Sequence, residues 1–422
     1  MKKKISGLLA IITAFSMLAS ACTTSDGEKE TTANTATETV TQTESNVENQ
    51  TTSKNEASDP SDEITDGASS ENSSSTEPSS EENTTEESTT PSTGNDVQTG
   101  EYKPVTMAFV GDTYLSDKLY GHYTKSGLTG FMGQSVLDIF QKTDIMIANH
   151  EYAATDLPES AKDTQQLYNF KAPVAREIIW KELGVDIVSL ANNHAMDYGE
   201  QSLIDSLDAL DAVGVGRIGA GRNLADALKA DIRTVNGKKI AVLAASRFIL
   251  NWNWYAQVDK PGVMTTYEST DRFGMVKDEI KRLKEEEKCD IVAVYVHFGK
   301  EHTYEILQNQ KNIAYGYIDS GADFVIGSHA HNLQGIEIYK GAPIYYNLGN
   351  FLFTNGAVDT MVVNIQINED NSVSTSITPC VSKQFTVNEA TGDKAQEIMN
   401  FVESISVNVE IDENGNVTEK VE

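Results

Sequence analysis

Five times in this chain an apolar run of strand length ends in a short loop carrying carboxylate, amide or imidazole groups. Val105 to Val110 leads to Gly111-Asp112, and Asp144 to Ala148 leads to Asn149-His150-Glu151. Val185 to Leu190 is followed by Asn192-Asn193-His194, Ile291 to Val296 by His297 through His302, and Asp323 to Ile326 by Gly327 through His331. Six of the seven histidines fall in or beside these loops, and only His122 stands apart. Short continuous apolar runs read as buried strands. In an open α/β sheet the loops at the carboxyl ends of the strands share one rim, where side chains distant in sequence converge on a ligand or metal.

The intervening segments have helical spacing, at Gln134 to Lys142, Val174 to Leu183, Glu200 to Val213, Leu224 to Lys229 and Asp271 to Lys288. Gly184 closes one helix and Gly321 another, because a residue without a Cβ suits the left-handed cap. Each glycine precedes a strand and then, ten residues on, a histidine, His194 or His331. Asn236-Gly237 predicts a hairpin. Two strands are expected around Lys340-Gly341, short strands from Met361 onward, a helix near Lys394 to Ser404 and a final hairpin at Asn414-Gly415.

The N-terminus has the order of a secretory signal: Lys2-Lys3-Lys4, the apolar stretch Ile5 to Leu18, then Ala19-Ser20-Ala21-Cys22. The cysteine after the small residues resembles a bacterial lipobox, which implies cleavage before Cys22 and lipid on its thiol, with residues 1–22 as the signal. A soluble secreted protein and an uncleaved anchor are the alternatives. From Thr23 to Gly100 the chain is Ser, Thr, Glu and Asn with almost no large apolar residue, too little to offset ordering entropy. It reads as a disordered acidic stalk. Eighteen acidic residues against Lys29 and Lys54 put about half of the chain's formal charge of −30 there. The remainder, 101–422, is also acidic, which argues against a nucleic-acid partner. Cys289 and Cys380 are compatible with a disulfide or with two buried thiols.

A divalent transition ion takes imidazole nitrogen and carboxylate oxygen, and a two-metal site needs a carboxylate able to bridge. Asp112 and Glu151 supply carboxylates, His297, His329 and His331 imidazoles, and Asn193 an amide oxygen. His194 is placed to act as general acid. The bland readings are loop histidines, a Gly-Asp turn at Asp112, a helix-entry cap at Asn193-His194 and a solvated carboxylate at Glu301. Trp252 and Trp254 suit core packing better than a substrate groove, and Asn347 and Asn350 suit loop shaping.

Taken in order, Val110-Gly111-Asp112, Asn149-x-Glu151, Leu190-Ala191-Asn192-Asn193-His194 with Asp197-Tyr198-Gly199, His297-x-Gly299-x-Glu301, Gly327-x-His329-x-His331-x-x-Gln334 and Asn347-Leu348-Gly349-Asn350-Phe351 resemble the bacterial capsule-synthesis CapA family, associated with poly-γ-glutamate. Phe170-Lys171-Ala172-Pro173 belongs to the same pattern, which runs from about 104 to 353, with C-terminal strands and a hairpin over 360–422. That family is similar to the calcineurin-like metallophosphoesterases. The resemblance implies an α/β, four-layer fold: a β-sandwich flanked by helices, with one or two divalent ions (Mn, Zn or Fe) at the strand ends. It implies Asp112, Glu151 and His331 around one ion, Glu151, Asn193, His297 and His329 around the other, and His194 as proton donor. Glu301 and Lys171 become substrate-side residues. The phosphoesterase pattern opens Asp-x-His, whereas here the third position is Tyr114.

Two functions follow from this reading. One is a lipid-anchored extracellular hydrolase or transferase acting on a polyanionic capsule polymer, its precursor or its attachment. The other is a non-catalytic accessory subunit of a membrane complex that synthesises or exports the polymer.

Overall fold

The computed structural model describes residues 102–164, 167–354 and 356–420. The signal, Cys22 and the acidic stalk lie outside the described residues.

Two sheets carry the fold. The larger runs, in spatial order, through Val409–Ile411, Asn416–Glu419, Val373–Lys383, Ala357–Ile367, Val105–Thr113, Ile145–His150, Ile187–Ser189 and Gly216–Ile218. Asn350–Leu352 pairs with the end of Val105–Thr113, and Thr386–Glu389 pairs with Val373–Lys383. The second sheet is ordered Ile336–Tyr339, Ala342–Tyr345, Phe324–Ser328, Ile291–His297, Lys238–Ser246 and Asp231–Val235. In each, the strands that feed the chemical loops are parallel to one another and buried along nearly their whole length. Burial on both faces is why they read as unbroken apolar runs rather than as alternation.

The sheets face each other. Phe109 meets Phe324 edge to face at 5.6 Å, and the Tyr295 hydroxyl donates to the Val110 carbonyl at 2.9 Å. On the outer side of the second sheet, Val292, Val294 and Val325 pack with Val276, Ile280 and Leu283 of helix Asp271–Glu285 and with Ile313 and Tyr317 of helix Gln308–Ile318. Helices Gln134–Lys142, Ile178–Leu183 and Glu200–Val213 bury their apolar faces in the other core cluster, with the larger sheet. The result is the helix-flanked sandwich that the resemblance implied.

Most local expectations hold. Helices Gln134–Lys142 and Glu200–Val213 have the expected bounds, and Gly184 and Gly321 sit at φ +89° and +109°. Asn236-Gly237 turns with both residues at positive φ, as a two-residue hairpin requires. Three points differ. The chemical loops do not rim one open sheet but come from two. The strands after Phe353 are not uniformly short, since Ala357–Ile367 and Val373–Lys383 pair over eleven residues. Trp254 is buried, whereas Trp252 is exposed against Tyr267. Cys289 and Cys380 are free buried thiols in different core clusters. No helix among the described residues is long and apolar enough to cross a membrane.

Candidate metal centre

Asp112 leaves its strand where the register with Ile145–His150 shifts, between Phe109 and Asp112. Such an irregularity re-aims a side chain at the end of a strand. Glycine is required just before it: a Cβ on Gly111 would lie 2.0 Å from the Gly349 carbonyl oxygen, while the Asp112 amide donates to that same oxygen at 3.1 Å. Gly327 has the same task in the second sheet, where a Cβ would meet the Tyr346 carbonyl at 2.1 Å. Backbone strands thus approach closely beneath both sets of loops.

The structure brings Glu151, His297 and His329 together, and also Asp112, Glu151 and His331; within each group one donor atom per residue lies within 4.8 Å of the others. Glu151 is common to both. Asn193 joins the first group, its Oδ1 standing 2.6 Å from His297 Nε2. Asp112, Glu151, His297 and His329 are all buried. His329 and His331 occupy φ +100° and +60°, unusual for residues with a Cβ, and such strain gathers at sites that depend on it.

Two carboxylates sealed from water this close together need compensation. The Asn149 amide nitrogen donates to both, at 2.9 Å to Asp112 Oδ1 and 2.9 Å to Glu151 Oε2. Burial pushes the Asp112 carboxyl up, but the hydrogen bond and charge of His331, with Nδ1 at 3.1 Å, hold it below the usual carboxylate range. Burial and then the Asp112 charge push Glu151 well above that range. Burial, then the charge of His329, keeps His297 neutral far below its ordinary value, and burial, then the charge of His331, lowers His329 to about 3. Burial lowers His331, but the hydrogen bond and charge of Asp112 together with the bond to Asn350 raise it above its ordinary value.

Glu151 Oε1 and His329 Nδ1 are buried without a hydrogen-bond partner. Unsatisfied polar atoms inside a fold are costly. Oriented carboxylate, neutral imidazole and amide oxygen donors, with two such atoms unsatisfied, fit a divalent ion.

His194 stands beside these groups without joining them. Its Nδ1 is 2.8 Å from Asp197 Oδ2, and its backbone amide donates to Asn192 Oδ1 at 3.0 Å. Asp197 is fully buried and also accepts from the Phe170 amide at 2.6 Å. Burial raises its carboxyl against the hydrogen bond of His194. With Nδ1 engaged, Nε2 is the atom left to exchange a proton.

Glu301 is exposed and shares a recess with Asn193, His194, Asp163 and Asn251. Lys171 is turned aside: its ammonium donates to the Leu157 carbonyl at 2.7 Å and pairs with Glu159 at 2.9 Å. Tyr114 donates to the Lys171 carbonyl at 3.0 Å and packs on Phe170, and burial pushes its phenol up to about 12. His150 lies behind the centre, paired with Glu177 at 2.9 Å. Asn350 does more than shape a loop, its Oδ1 lying 2.9 Å from His331 Nδ1. Asn149, Asp197 and Ser328, which sits 2.9 Å from His297 Nδ1, were not assigned roles from sequence. Asn149 and Asp197 both stand in the motifs quoted above, and Asp197 is also a carboxylate three residues after His194.

The family model described as "Bacterial capsule synthesis protein PGA_cap" matches residues 106–355. The chain is 29% identical over 287 residues to the "PGA biosynthesis protein CapA" of Bacillus subtilis, covering 67% of this chain and 73% of that one. It is 27% identical over 295 residues to the "Capsule biosynthesis protein CapA" of Bacillus anthracis, covering 67% and 69%. Among solved structures, a hypothetical protein from Thermus thermophilus aligns with TM-score 0.42 and 17% identity, over 66% of this chain and 100% of that one.

Proposed function

The chain belongs to the bacterial capsule synthesis proteins of the PGA_cap family, and on that premise we propose that it serves poly-γ-glutamate capsule biosynthesis as a metal-dependent hydrolase or transferase acting on the polymer or its attachment. The observation that carries the catalytic part is His194, held through Nδ1 by a buried carboxylate next to the ligand Asn193. That is the arrangement of a proton donor rather than of a packing residue. Asp112, Glu151 and His331 would hold one ion, and Glu151, Asn193, His297 and His329 the other, with Mn, Zn or Fe suited to such donors. When bound, the metal polarises the scissile bond and lowers the pKa of water. Asp197 fixes the His194 tautomer, Nε2 passes a proton to the leaving group, and Asn149 keeps the two carboxylates aligned.

An accessory role is the second reading, and Tyr114 favours it. An imidazole is missing from the position that opens the phosphoesterase pattern, and the phenol there is committed to the Lys171 carbonyl. In that role the centre would grip a carboxylate-rich polymer or hold the fold.

We also propose that Cys22 carries lipid that retains the protein on the outer face of the cell membrane, near a synthesis or export complex. The signal-like order ending at Cys22 supports it. Cys22→Ala should then move the protein from the membrane fraction to the medium or to precursor, and unchanged fractionation and mobility would exclude the anchor.

The two roles separate in a deletion strain. A catalytic centre requires His194→Ala to abolish its contribution to polymer yield, chain length or wall attachment while metal content stays normal. Asp112→Ala should lose both. Full complementation by a folded, metal-loaded His194→Ala protein establishes the accessory role instead.

A further inference from the structure

Three half-buried phenyl rings each lie on one imidazole of the centre. Phe170 is 4.5 Å from His194, Phe353 stacks on His331 at 5.0 Å, and Phe248 stacks on His329 at 4.4 Å. Phe170 and Phe353 also touch, edge to face at 5.1 Å, so hydrocarbon runs continuously from the proton donor to a metal-ligand histidine. Phe353 follows a strand of the larger sheet and Phe248 one of the second. The rings therefore reach the centre from both halves of the sandwich.

Charge points the same way. A phosphoryl group is ordinarily gripped by the donors of Arg or Lys. Here Lys171 is held by Glu159 at 2.9 Å and Arg247 by Glu268 at 2.8 Å. Lys300 is exposed and is followed directly by the exposed Glu301, which lines the recess beside His194. A carboxylate next to the proton donor suits a leaving group that departs as an ammonium ion.

We infer that Phe170, Phe248 and Phe353 are specificity residues that select an amide whose acyl side carries a methylene pair, as in a γ-linked glutamyl chain, over a phosphoester. This rests on the hydrolase reading above. In the hydrolysis, water oxygen bonds to the carbonyl carbon and the C–N bond breaks. His194 Nε2 supplies a proton to the departing nitrogen and recovers one of those released by the water. The net change is amide plus water to carboxylate plus ammonium, with no oxidant or co-reactant. The rings cover the methylene pair that γ-linkage places in the main chain. In an α-linked chain those methylenes lie in side arms ending in carboxylates.

The test compares γ- and α-linked glutamyl oligomers of equal length and charge, so that overall electrostatics cancel. Binding is measured by calorimetry on the full chain after chelation. Wild type should prefer the γ-linked oligomer by about tenfold, the effect of withdrawing roughly two methylene groups from water. Phe353→Ala and Phe170→Ala should remove most of that preference, and Phe353→Leu, which keeps hydrocarbon in place, should retain it. Equal binding of both oligomers, or a preference untouched by both alanine variants, overturns the inference. A second arm restores Mn and follows amine release from the γ-linked oligomer beside turnover of bis(p-nitrophenyl) phosphate. Faster phosphodiester turnover overturns the inference and leaves a hydrolase. A γ preference that needs the rings, without amine release from wild type, upholds the wall as the polymer-binding surface and overturns the hydrolase reading.

Discussion

Asp197 Oδ2 lies 2.8 Å from His194 Nδ1, and the carboxylate that makes this bond is sealed from solvent. An ionised acceptor at that nitrogen dictates that Nδ1 carries the proton, which leaves Nε2 to exchange one. Asp197→Asn keeps the shape but can present an amide N–H in place of the acceptor, favouring the wrong tautomer. Turnover of the polymer substrate should fall on the order of a hundred-fold to ten-thousand-fold, with metal content unchanged. Wild-type turnover in the Asn variant would show that the pair is only structural.

Metal and fold should be linked. A ligand that binds only the folded state stabilises it by about 2.7 kcal/mol at a hundredfold excess over Kd. Chelation should therefore lower the unfolding midpoint of wild type, and His329→Ala combined with His331→Ala should abolish both the bound metal and the response to chelator. A double variant that still retains its metal would refute the centre described above.

The two imidazoles of the His329-x-His331 loop should respond to pH with opposite signs in the chelated protein. His329 is depressed to about 3 when folded, so the unfolded chain takes up its proton first, and stability is lost as pH falls below the ordinary value of 6.5. His331 is raised when folded, so its contribution is complete below 6.5 and is lost as pH rises through the folded value. Each effect is bounded by about 1.4 kcal/mol per pH unit. Denaturant unfolding at pH 5 and pH 7 should show that His329→Gln reduces the loss of stability on acidification and that His331→Gln increases it. Shifts of the same sign in both variants would contradict this assignment.

Gly111→Ala should destabilise the protein although it adds one methyl group. The new Cβ would meet the Gly349 carbonyl oxygen, and this is backbone, which cannot rotate away. Overpacking typically costs about 1–3 kcal/mol. The displaced loop should also weaken metal binding, because the Asp112 amide bonds that same carbonyl. Unaltered unfolding and metal affinity would mean that the close approach is relieved by a small shift.

Local order alone determined the helices at Gln134–Lys142 and Glu200–Val213, the left-handed caps at Gly184 and Gly321, and the turn at Asn236-Gly237, since each depends on periodicity or on the φ of one or two residues. It also placed Asp112, Glu151, Asn193, His194, His297, His329 and His331 at strand ends, because strands buried on both faces leave a plain apolar signal before each loop. Their convergence is another matter. His331 meets Asp112 across 219 positions and His297 meets Asn193 across 104, and those pairings exist only because two sheets pack face to face. The same packing separates Cys289 from Cys380 and lays Phe353, which follows a strand of the larger sheet, on His331 of the second. A phenylalanine after a strand reads as core until the tertiary structure leaves it half-buried against a histidine.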